Sequence, residues 1–102
     1  PENEEGWVWE MPAEEKGLIG QRVGALYIND DGVPAWFDAF IVEFNDRRYH
    51  RGEKKMYRLL FSEDGFDDWY TLPDHTVAYR KGHKASAQQV RKLLGGLGMS
   101  EE

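Results

Sequence analysis

The chain has 102 residues, 40% of them hydrophobic and 14% aromatic, enough for the core of one domain with extensions. A formal net charge of −6 argues against a general nucleic-acid binder, because phosphate contact wants a basic face, and suits a basic partner such as a lysine-rich tail. Cysteine is absent, which excludes disulfides and zinc–thiolate sites and fits a reducing compartment. No apolar run approaches a membrane span, no signal-peptide pattern opens the chain, and a start at Pro1 reads as a piece cut from a longer protein.

Residues 1–17 are acidic and interrupted by Pro12, with one aromatic island at Trp7-Val8-Trp9. If that island is extended, alternation puts both tryptophans on one side, where they can dock on the domain. From Leu18 to Arg80 the texture changes to short β-rich runs between turn signals. The runs predict strands at 21–28, 36–44, 56–61, 67–71 and 76–79. Asn29-Asp30-Asp31-Gly32 turns the chain after the first and Ser62 to Gly65 after the third. Five short strands in so little chain, joined by tight turns, predict a small, strongly bent barrel. Leu26, Phe40, Phe44, Tyr57, Leu60 and Trp69 are the large side chains available for its core. Beyond residue 80 the pattern becomes helical. Ser86-x-x-Gln89 has capping-box spacing, Val90, Leu93, Leu94 and Leu97 recur at helical intervals, and Gly95-Gly96 supplies a stop. A short helix over 87–94 follows. The expected organisation is an acidic extension (1–17), a barrel (18–80) and a helical tail (81–102).

Catalytic chemistry is poorly represented. His50, His75 and His83 are scattered through predicted loops at no metal-ligand spacing, glycines occur without a phosphate-binding pattern, and the hairpin carboxylates Asp64, Asp67 and Asp68 have no evident cleft. No catalytic residue, metal or cofactor is expected. The loop "DRRYHRGEKK" (46–55) holds five basic residues and two acids. It reads either as a weak DNA or RNA patch, with Tyr49 and His50 as stacking rings, or as a hairpin loop kept solvated by charge.

Three segments resemble the Tudor domain of the Royal family: "IGQRVGALYINDDG", "AWFDAFIVEF" and "YRLLFSEDGFDDWYTLPDHTV". They match the family's first, second, and third-to-fourth strands in order. The resemblance covers Leu18 to about Tyr79. The resemblance implies an all-β, five-stranded SH3-like barrel with the C-terminal α-helix added. It also implies a nuclear, monomeric, non-enzymatic reader of methylated lysine on a histone tail. A dimethylarginine reader and a methylation-independent interaction domain are the alternatives within the same family.

In family members that read such marks, rings at the strand ends form a cage. The matching positions are Tyr27, Phe37, Phe61 and Phe66, with Asp64 as the acidic member. The third-to-fourth strand turn is one residue longer than the family pattern, so Glu63 can replace Asp64. A bulge would exchange Trp36 for Phe37, and Trp69 is a further spare ring. Rings and acids without a nucleophile suit a methylammonium, which is cheaply dehydrated, is attracted to ring faces, and can donate a remaining N–H to a carboxylate.

Overall fold

The computed structural model describes residues 6–54, 56–63 and 65–95. The elements run β1 (Trp7–Val8), a 3-10 turn (Glu15–Leu18), β2 (Gln21–Ile28), β3 (Pro34–Phe44), β4 (Tyr49–His50), β5 (Glu53–Lys54), β6 (Tyr57–Phe61), β7 (Asp67–Tyr70), β8 (Val77–Lys84) and α1 (Ala87–Gly95). The protein is all-β with one short C-terminal helix. Six strands form an antiparallel sheet in the order β1-β8-β2-β3-β6-β7, and β4 and β5 pair as a separate ribbon.

Alternation decides the inner face. Val23 and Ala25 of β2, Ala39 and Ile41 of β3, Tyr57, Leu59 and Phe61 of β6, and Val77 and Tyr79 of β8 are buried together, with Leu18 and Leu72 closing the cluster. Several of these side chains are small, so the core is built from aliphatic residues and alanines as well as large rings. The pairing slips between Ile41 and Glu43, which leaves Val42 as the extra residue of a bulge in β3. The slip turns Glu43 to the outer side, where it meets Arg58 at 3.1 Å, and returns Phe44 to the inner cluster. Asp67 binds the same arginine at 2.9 Å.

The outer side of β3 and β6 carries α1. Val42, Leu60 and Val90 are buried against one another, with Phe40, Ile19, Leu93 and Leu94 partly buried around them. The helix begins in the expected capping box. The Ser86 hydroxyl accepts the Gln89 N–H at 3.2 Å, and the Gln89 side chain accepts the Ser86 N–H at 2.9 Å. Phe40 and Leu60 therefore serve this outer layer and not the inner core. At the start of β2, Gly20 has φ +97°, and a Cβ there would run into the Ala85 carbonyl, which brings the helix entry close to the sheet. Gly20 also donates to Ile41 O at 2.6 Å and accepts from Ala85 N at 2.7 Å.

The expected N-terminal extension contributes β1 to the sheet. Trp7 and Val8 pair with Arg80 and Tyr79 of β8, and Val8, Met11 and Ala13 pack on the inner cluster. Leu26 N–H donates to Thr76 O at 2.9 Å, which extends the β2–β8 pairing past Ala25–Val77, and the Tyr27 hydroxyl of β2 meets the Tyr70 hydroxyl of the edge strand β7.

Candidate functional site

The same alternation that builds the core ends in rings. Ala25 pairs with Phe37, Tyr27 with Ala35, and Ala39 with Phe61, so Tyr27, Phe37 and Phe61 lie on one face as diagonal neighbours. Their direct partners are alanines, which leaves the rings room to lean together. Tyr27 stands 6.2 Å from Phe37 at 60° and 5.6 Å from Phe61 at 62°. The β6–β7 turn supplies a fourth ring. Phe61 N–H donates to Phe66 O at 2.7 Å and Gly65 N–H to Phe61 O at 3.0 Å, with Gly65 at φ +73°. That geometry sets Phe66 6.1 Å from Phe61 at 39°.

The four rings line a cleft of about 460 Å³ together with Ile28, Asn29, Asp30 and Glu63. Within it the rings are unequal. Phe66 is 55% exposed and Tyr27 36%, Phe37 is half-buried, and Phe61 is only 4% exposed. Phe61 is thus the floor of the cleft and a member of the core at once. Tyr27 and Phe66 cover it, so this cage position does not face solvent freely.

The rim is braced from both sides. The Tyr27 hydroxyl bonds to the Tyr70 hydroxyl and lies 3.5 Å from Asp68 Oδ2, which fixes the ring's orientation. Burial raises the pKa of both phenols, and the Asp68 charge raises each further, so both stay neutral at physiological pH. In the β2–β3 turn, the Asn29 side chain accepts the Asp31 and Val33 N–H groups at 2.9 and 3.0 Å. This Asx-type turn sets Asp30 at the cleft wall. Asp30 and Glu63 give the lining its negative charge. Asp64, the expected acidic member, lies outside the described residues. Among the described residues the lining holds no serine, cysteine, histidine or lysine, and no group of three His, Cys, Asp or Glu could hold a metal. What the arrangement can do is hold a weakly hydrated cation against ring faces.

Two expected additional rings are elsewhere. Trp36 points away from the cleft and packs on Trp9 at 5.5 Å, so no bulge exchanges it for Phe37. The bulge in β3 falls five residues later, past Ile41. Trp69 lies under Arg48, whose guanidinium carbon is 4.5 Å from the ring centre, with that of Arg58 at 5.9 Å. Ile28, Asn29 and Asp30 were read only as strand end and turn. Their place directly after Tyr27 is the signal that could have assigned them to the rim.

No family model, curated protein or solved structure matches the chain.

Proposed function

We propose that the chain is a non-enzymatic reader of methylated lysine on a histone tail, working in the nucleus through the cleft of Tyr27, Phe37, Phe61 and Phe66. The observation that carries it is the convergence of these four rings, with Glu63 and Asp30, on one solvent-open hollow. A methylated ammonium keeps its charge while losing hydration, and each well-placed ring face contributes about 0.5–2 kcal/mol. Glu63 supplies the carboxylate for a remaining N–H of a mono- or dimethylated nitrogen.

The fold belongs to the same proposal. Strands β8-β2-β3-β6-β7 form a five-stranded SH3-like barrel of the Tudor type, with β1 and α1 as additions. The contact of the Tyr27 hydroxyl of β2 with the Tyr70 hydroxyl of β7, two strands that are not neighbours in the sheet, supports it.

The test is a chemical-shift titration of the ¹⁵N-labelled protein with a dimethyl-lysine peptide. Shifts should cluster at Tyr27, Phe37, Glu63, Phe66 and the 28–30 turn, with the outer face under α1 unmoved. A methylated peptide that instead shifts the Trp9–Trp36 face would place partner binding outside the cleft and make the protein a methylation-independent interaction domain.

A further inference from the structure

The reader proposal leaves the ribbon of β4 and β5 without a role. Residues 46–55 carry a surplus of three positive charges in a chain of net −6, which leaves −9 on the rest. Arg47, Arg51 and Lys54 are exposed, and none of them is ion-paired among the described residues.

A loop that only keeps a protein soluble needs no order, yet this one is braced at every turn. Asn45 N–H donates to Met56 O at 2.8 Å, and the Asn45 side chain accepts the Arg47 N–H at 2.9 Å. The Thr71 hydroxyl bonds to Lys54 O, which ties β5 to the end of β7. Arg51 and Gly52, at φ +54° and +83°, form the two-residue tip that closes a tight hairpin. Arg48 stacks on Trp69, and its Nε is buried with no hydrogen-bond partner among the described residues. Tyr49 pairs across the ribbon with Lys54, and its ring is 60% exposed.

We infer that this ribbon docks on nucleic-acid phosphates, with Arg47, Arg51 and Lys54 as the contacting cations and Tyr49 as a stacking platform. Charge alone would also suit an acidic peptide. The flat exposed ring beside the cations favours nucleic acid, because bases stack on a ring while glutamate side chains do not. The acidic remainder does not forbid contact, since charges more than about 8 Å away are largely screened at physiological salt. The inference is independent of the reader proposal, because none of the ribbon's described residues lines the ring cleft.

Fluorescence anisotropy with a short labelled single strand, the matching duplex and a labelled polyglutamate tests it. With three cations engaged, affinity should fall roughly 20-fold on the single strand and roughly 40-fold on the duplex between about 50 and 200 mM salt. The charge-reversal variant R47E/R51E/K54E should weaken nucleic-acid binding by about tenfold or more while leaving methylated-peptide binding unchanged. Tyr49→Ala should cost about fivefold on the single strand if bases stack there, and nothing on the duplex if phosphates alone are held. Its thermal midpoint and that of the reversal variant are read alongside. If reversal unfolds the chain, R51Q/K54Q carries the same comparison. Failure of both nucleic acids to bind at the lower salt, undiminished binding by the reversed ribbon, or equal binding of polyglutamate would each overturn the inference.

Discussion

Two sets of aromatic rings share this small protein and differ in what already covers them. Trp7 and Trp69 have cations over their faces. Arg22 and Arg80 lie 5.8 and 5.6 Å from the Trp7 ring, and Arg48 and Arg58 flank Trp69. Tyr27, Phe37 and Phe61 instead lean on other rings around an open hollow, with no arginine or lysine over them among the described residues. A ring whose face already holds a cation has little left to offer a ligand. The count of aromatic residues therefore says less about binding than their occupancy does.

That contrast breaks most sharply inside the cleft itself, at Phe61 and Phe66. Phe61→Ala should destabilise the fold by about 3–5 kcal/mol, the usual cost of emptying a buried phenylalanine site, read in denaturant unfolding. Phe66→Ala, at a ring more than half exposed, should leave the unfolding midpoint nearly unchanged and weaken a dimethyl-lysine peptide about tenfold. If the two variants lose stability equally, Phe66 is core and the open cleft does not persist in solution.

A second comparison sets the cleft against the helix side. Val90→Ala removes a buried side chain from the Val42–Leu60 layer and should cost about 1–2 kcal/mol of stability without touching peptide affinity. A helix that only appends to the sheet would show no loss.

The rim tyrosines give a pH signature. Their folded pKa values lie above the usual 10.0, chiefly through burial, while the unfolded chain ionises at the usual value. Stability from this source is thus full below pH 10 and falls as pH rises beyond it. Tyr70→Phe should flatten that alkaline decline in the thermal midpoint.

The smallest expected effect is at the rim carboxylate. Glu63→Gln should weaken dimethyl-lysine by a few-fold and trimethyl-lysine less, because only the former has an N–H to donate, as measured by titration of both peptides.

Much of the sheet was legible because its strands alternate cleanly. The run 21–28 was placed at its observed ends, and the strands at 34–44, 57–61 and 67–70 differ from expectation by one or two residues. The paired strand at Trp7–Val8 was missed because two residues carry no period. β8 runs on to Lys84 through a polar stretch whose register is set by Gln21, a partner far away in sequence. The core was less legible than the sheet. Large residues were expected inside, but the face parity of β3 selects Ala39 and Ile41 and sends Phe40 out to the helix. The Val42 bulge that restores Phe44 to the core leaves no local sequence signal. The cleft rings were legible as a set, since their positions at strand ends sit on one face once the register is known. Which ring would be floor and which rim depended on how the β6–β7 turn folds over Phe61, and no spacing encodes that.

The central claim is that these rings hold a methylated ammonium. Calorimetry with one peptide in unmodified, mono-, di- and trimethylated forms tests it most directly. Three or four rings at about 1 kcal/mol each, with ordering costs subtracted, predict a dissociation constant on the order of 1 µM to 1 mM for the dimethylated form. The unmodified peptide should bind about tenfold more weakly or worse, since its ammonium must shed a stronger hydration shell. Equal affinity for all four forms would contradict the account.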